Sequence, residues 1–182
     1  MLTRNDVVVV LVFSMIITTL YSIIYTNFNT CEKSSGSSGV IIYPEIKENQ
    51  SNMMVIWCKS KVQCLKMTEA VYFEARGEGV KGMFAVAHVI QNRVIKNSSS
   101  VTEEVMKDSQ FSYTDRKDFS ITEPDKYREA MVVSAKVLTG LSKDVTKGST
   151  HYVAPKRLKK MPRWTKALTP TIAINNHVFY RG

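Results

Sequence analysis

The segment Glu69-Ala-Val-Tyr-Phe-Glu-Ala-Arg-Gly-Glu78 places three carboxylates and an arginine near the end of one short helix. Glu74 falls in the last turn, because Gly77 and Gly79 discourage further helix. A helix C-terminus carries partial negative charge, so a carboxylate there is held less comfortably ionised. Shielding by Val71, Tyr72 and Phe73 would add to this. A carboxyl kept protonated near neutral pH can protonate a leaving group. The competing reading is a solvated helix end carrying an Arg76 ion pair.

Other chemistries find less support. The three histidines, His88, His151 and His177, include no pair at i and i+4, so no zinc-protease helix motif exists and no metal is expected. No Ser or Cys nucleophile has an evident partner base. Glycoside cleavage needs a protonated carboxyl at the scissile oxygen and a means of stabilising an oxocarbenium-like transition state. Glu74 meets the first need. Glu78 and Asp115 are the available second carboxylates, and spacing fixes neither.

The elements that must position these groups read as helices first and a small sheet afterwards. Residues 66–76 and 80–96 are expected helices, the second with Val86, Val89 or Ile90, and Val94 on one face. Thr122-Glu-Pro-Asp125 has a capping-box pattern with proline in the first turn. It opens a helix whose stripe is Tyr127, Ala130, Met131, Ser134, Val137 and Leu138, closed by Gly140. These stripes are core positions, and no cofactor is expected. Residues 149–153 and 171–174 alternate like short strands, and 177–180 can pair with one of them through an Asn175-Asn176 turn. The order argues for an α+β fold.

Upstream, the chain changes class. No charge appears from Val7 to Cys31, and residues 7–26 are long and apolar enough for one membrane-spanning helix. A cleavable signal would need a shorter apolar core with a small-residue cleavage site behind it. The expectation is an uncleaved signal anchor, with residues 1–6 cytoplasmic and the rest on the extracytoplasmic side of the inner membrane. Residues 27–52, containing Ser34-Ser-Gly-Ser-Ser-Gly39, read as a flexible linker. Residues 53–182 are left as one domain with its own core.

Charge is unevenly shared. Residues 1–52 carry net −1, so the remainder holds +10 of the total +9. The densest patch is Lys156-Arg157-Leu-Lys159-Lys160-Met-Pro-Arg163-Trp164-Thr-Lys166. A polyanion partner follows on electrostatic grounds. An exported domain favours a cell-wall polymer or an anionic membrane surface over nucleic acid. Of the three cysteines, Cys58 and Cys64 are close enough to clip a loop in an oxidising compartment, or else form a free buried pair. Cys31 is the odd one.

Taken together, Ala70-Val-Tyr-Phe-Glu-Ala-Arg-Gly-Glu78, Gly82-Met-Phe-Ala-Val-Ala87 and Asn92-Arg93-Val94 resemble the core motif of the SleB/CwlJ-type cell-wall hydrolases. That family contains spore-cortex-lytic enzymes and phage endolysins. Gln110-Phe111-Ser112, Thr150-His151-Tyr152, Pro162-Arg-Trp164 and His177-Val-Phe-Tyr-Arg181 follow in the family's order. The resemblance covers residues 58–182. It implies a lysozyme-like fold and cleavage of the MurNAc-GlcNAc glycan strand of peptidoglycan, with the catalytic glutamate at Glu74. Members studied as lytic transglycosylases lack a catalytic aspartate, and the muramic acid's own groups complete the reaction. The chain departs from the family at Ser109, where cysteine is frequent, and at Gly79, where proline is usual.

Several supporting roles follow as expectations. Glu78 either pairs with Arg76 or Arg93 and tunes Glu74, or sits exposed. Gln110 and Ser112 hydrogen-bond sugar groups or stabilise a turn. Tyr152 and Tyr180 stack on sugar rings or belong to the core. His151 lines the cleft, and His177 buttresses the sheet. Asn92-Arg93 ties the second helix to the first. The alternatives to a transglycosylase are a hydrolysing muramidase, a metal-dependent wall amidase or peptidase, and a non-catalytic wall-binding accessory protein.

Overall fold

The computed structural model describes residues 48–114 and 120–182. In chain order these form α1 (Glu48–Lys59), α2 (Val62–Ala75), α3 (Gly79–Asn97), α4 (Val101–Met106) and α5 (Pro124–Leu138). Three short strands follow: β1 (His151–Val153), β2 (Thr169–Ile174) and β3 (His177–Arg181). The mixed, mainly helical architecture with a small late sheet is the one expected. Among the described residues no helix is long and apolar enough to cross a membrane. The anchor expected at 7–26 and Cys31 lie outside the described residues.

α2 and α3 form the centre. A tight turn, Arg76–Glu78, separates them, and Gly79 takes a left-handed φ of 63° that reverses the chain into α3. The first half of α3 is buried on every side from Gly82 to Ile90, not only along the expected stripe. Small side chains at 82, 85 and 87 let neighbouring elements approach closely. One face of α3 meets the sheet, where Ala85 and Val89 pack with Ile174 and Phe179. α5 packs across α1, α2 and α3.

α1 begins inside the segment expected to be linker. Val55 and Cys58 pack on Met131, Val132 and Ala135 of α5, which gives this helix a buried face despite its polar start. Cys58 and Cys64 are disulfide-bonded, with Cα atoms 5.2 Å apart, and close the turn between α1 and α2. Chain-entropy reasoning gives such a short loop about 2 kcal/mol of stabilisation. The short α4 opens on a complete capping box, in which Ser100 accepts from the Glu103 N–H and Glu103 accepts from the Ser100 N–H.

The entry to α5 differs from the expected capping box. The cap position is Glu123 with no side-chain cap bond, and Pro124 opens the helix. Instead the buried Tyr72 hydroxyl accepts the N–H groups of Thr122 (3.1 Å) and Glu123 (3.0 Å). A phenol on α2 thus holds the chain where a local threonine was expected to. At the far end Gly140 adopts φ 73°, the Gly140 N–H reaches the Val137 carbonyl and the Leu141 N–H reaches that of Lys136. This is the Schellman stop that the glycine implied.

The sheet runs β1-β3-β2, all antiparallel. Asn175 takes the left-handed φ of 51° in the β2–β3 turn. Tyr152 lies opposite Phe179, and His151 opposite Tyr180. Because side chains alternate along a strand, Tyr152 and Phe179 share the face turned to α3, while His151 and Tyr180 share the other.

Tyr72→Phe should therefore lower stability by about 1–2 kcal/mol, the cost of leaving two backbone donors without their acceptor. Denaturant unfolding would read this as a lower midpoint at unchanged slope.

Candidate active site

Glu74 stands in the last turn of α2, half-buried, as its place before the glycines required. The Tyr152 hydroxyl, carried on β1, donates to Glu74 Oε2 at 3.2 Å. Tyr152 itself is wedged edge-on against His177 and tilted over Phe179. Burial pushes its phenol well above the ordinary value, and the negative charge of Glu74 adds to this. The group therefore stays protonated and keeps its donor. Beside it, Phe73 stacks on Tyr113 with ring centroids 4.8 Å apart, forming an aromatic wall next to the carboxylate. Burial raises Tyr113 as well, with Glu69 and Glu74 contributing.

Arg93 completes the electrostatics. Its Nε donates to the Thr150 carbonyl at 2.6 Å, and the guanidinium lies 5.9 Å from the centre of the Phe111 ring. Burial draws its pKa down, opposed by the nearby Tyr152, Glu104 and Glu74. Arg93 remains a cation within the field of two carboxylates, Glu104 and Glu74. Its neighbour Asn92 donates to Asp144, Thr146 and the Ser149 carbonyl. The Asn92-Arg93 pair thus ties α3 to the chain entering β1, rather than to α2 as expected. That tie sets where Tyr152 points.

Glu78 takes neither expected ion pair. Its carboxylate accepts the Asn176 N–H at 3.1 Å and the Asn176 side-chain amide at 3.2 and 3.3 Å, and Arg157 is 3.8 Å away. Its carbonyl accepts from Asn175. Burial works to raise this carboxyl, but the Asn176 hydrogen bonds, helped by His177 and Arg157, hold it below the usual range. Arg76 likewise turns away, pairing with Glu123 at 2.8 Å and lying over the Tyr72 ring at 5.0 Å.

The remaining expected residues separate. Gln110 is exposed in the turn after α4, on the wall of a pocket that also includes Arg93 and His151. Ser112 is exposed in the following turn. His151 and Tyr180 pack around Trp164, each with ring centroids 5.3 Å from it, on the sheet face away from Tyr152. Tyr180 is buried there, and the inward-facing His177 is buried among aromatics. Asp115 lies outside the described residues. Among the described residues no group of His, Cys, Asp or Glu converges as metal ligands would. Sequence reasoning missed Tyr113 and the charge role of Arg93; the only trace of the first was its place just after Gln110-Phe-Ser.

The cell wall hydrolase family model matches residues 77–180. The chain belongs to the cell wall hydrolase family. Glu74 lies just upstream of the matched segment. Among solved structures, the chain is similar to the catalytic domain of the germination-specific lytic transglycosylase SleB from Bacillus anthracis, with 27% identity and a TM-score of 0.54. That match covers 66% of this chain and 96% of the other. The catalytic domain of the Bacillus cereus SleB protein matches at 22% identity and a TM-score of 0.54, over 80% of this chain and all of the other. A search of curated proteins found no match.

The depressed Glu78 carboxyl has a stability consequence. A group held below its unfolded value stabilises the fold above the unfolded pKa, and that stabilisation is lost as pH falls through the folded one. Glu78→Gln should cost about 2 kcal/mol near neutral pH, the scale of hydrogen bonds to a charged group. The gap between wild type and variant should hold above about pH 5 and shrink below about pH 4. Urea titrations across that range would measure it.

Proposed function

We propose that this protein cleaves peptidoglycan glycan strands between N-acetylmuramic acid and N-acetylglucosamine as a lytic transglycosylase, with Glu74 as general acid and then base. The observation that carries this reading is the hydrogen bond from Tyr152 to Glu74 beside the Phe73–Tyr113 wall. It presents one carboxylate, held by a neutral donor, at the edge of an aromatic surface. Membership of the cell wall hydrolase family supports the substrate. The likeness to a protein described as a lytic transglycosylase supports the reaction type.

Glu74 gives its proton to the glycosidic oxygen as the bond to muramic acid C1 breaks. The carbon-6 hydroxyl of the same sugar then attacks C1 and returns its proton to Glu74. A 1,6-anhydro ring results and no water is consumed. This scheme needs no second carboxylate, which accords with Glu78 being committed to Asn176 and Arg157. Tyr152, still protonated, donates to Glu74 while the carboxylate is charged.

The same reading places the domain outside the cytoplasmic membrane, held by residues 7–26, in a lysis role of the endolysin kind. The Cys58–Cys64 disulfide supports an oxidising compartment. A reporter fused to the C-terminus should be active only on the extracytoplasmic side; cytoplasmic reporter activity would remove access to the wall.

Glu74→Gln should fold normally and lose about 100- to 10,000-fold in wall-lysis rate, since the amide has no acidic proton to give. Rates within a few-fold of wild type would end the assignment. Mass spectrometry of peptidoglycan digested by the full chain should find muropeptides ending in 1,6-anhydro-muramic acid. Reducing muramic acid ends would make the enzyme a hydrolysing muramidase. Freed peptide stems on intact glycan would discard glycan cleavage altogether.

A further inference from the structure

A cavity of about 260 Å³ has in its wall Arg93, the cation whose field also reaches Glu74 and Tyr152. Its walls come from the end of α3 (Arg93, Lys96), from α4 and the turn after it (Glu104, Lys107, Gln110), and from the start of β1 (His151). Three cations thus face one carboxylate. That carboxylate is already satisfied: Glu104 is buried and accepts from Ser99, Asn97 and Lys107. Burial would raise it, but those donors hold it below the usual range, so it stays ionised as Lys107's partner.

Arg93 and Lys96 are left with charge to spend. Arg93 Nη1 has no acceptor among the described residues. Its charge contributes to the field of the cavity whose wall it helps form. Lys96 gives one N–H to the Gly182 backbone oxygen and retains two more. The field inside the cavity is positive enough to be felt by His151, which burial, Arg93 and Lys96 together hold below its ordinary value.

The glycan backbone carries no charge to match this. In intact peptidoglycan the lactyl carboxyl of muramic acid is tied up as an amide, so the peptide stem is the source of carboxylates. The cationic wall of the cavity suits a carboxylate head group, which the neutral sugar chain does not offer. We propose that the pocket lined by Arg93, Lys96 and Gln110 seats a carboxylate of the peptide stem, so that the enzyme recognises stem-bearing glycan beside the scissile bond. This rests on the glycan-cleaving reading for its context but is tested by binding alone.

Calorimetry of the full chain would compare three probes: a disaccharide–tetrapeptide muropeptide, the same disaccharide stripped of its stem, and a chitin oligosaccharide with no carboxylate. The muropeptide should bind at least about tenfold more tightly than the chitin fragment, the scale of a charge-assisted hydrogen bond. Lys96→Gln should remove most of that gap, and added salt should narrow it. Equal affinity for muropeptide and chitin fragment, or a gap unchanged in Lys96→Gln, would overturn the proposal. Stripped disaccharide binding as tightly as muropeptide would assign the pocket to the lactyl carboxylate and overturn the stem. Glycan products measured on the same preparation separate the two readings: a binding gap without cleavage removes the proposed reaction and keeps the pocket, and cleavage without a gap does the reverse.

Discussion

The position of the sheet against the helices depends on one buried charge. Glu78 ends the turn between α2 and α3, and its carboxylate and carbonyl are both taken up by the Asn175-Asn176 hairpin turn. A buried carboxylate is tolerated only when its lone pairs are filled, so the hairpin must dock there and in one orientation. β3 then pairs with β1, and β1 delivers Tyr152 to Glu74. Gly82 is part of the same constraint. A Cβ at that position would come within 2.3 Å of the Glu78 side chain, so the joint closes only over glycine. The carboxylate expected to tune the acid through charge instead fixes the frame in which the acid sits.

A second tie works from the other side of β1. Asn92 fixes the Asp144–Ser149 loop, whose turn Asp144 organises by accepting from Thr146 and Gly148. Arg93, one residue on, holds the Thr150 carbonyl. The short β1 strand is thus held at its entrance by α3 and along its length by β3. A phenol on a three-residue strand would otherwise have little reason to keep one position.

How much of this could be read from the sequence follows the range of the interactions. The helices around Glu74 were legible because glycines at 77, 79 and 140 act locally, as did the Asn175-Asn176 turn. α1 was not, since Glu48-Asn-Gln-Ser-Asn52 has linker composition and becomes helix through packing on α5. The entry to α5 is hidden for a similar reason: the acceptor that holds it, Tyr72, is 50 residues upstream of Thr122. Glu74 was visible as a carboxyl at a helix end. Its donor at Tyr152 and the commitment of Glu78 to Asn176 were not, because both depend on strand register set far along the chain.

The charges around Glu74 form a sequence of their own. Glu104, Arg93 and Glu74 alternate in sign, with Tyr152 as a neutral hydrogen-bond donor at the end. On the proposed reaction the acid must pass between neutral and ionised within each turnover, so its surroundings must serve both forms. A second carboxylate nearby would penalise the ionised form, and a cation in direct contact would penalise the neutral one. A buried phenol does neither strongly, because it hydrogen-bonds the carboxylate without changing its own charge. Arg93 adds a longer-range bias, tempered by Glu104 behind it. Arg93 also lines the cavity with Lys96 and Gln110, which is why the groups that position the acid and those suited to reading an anionic stem are, at this one residue, the same.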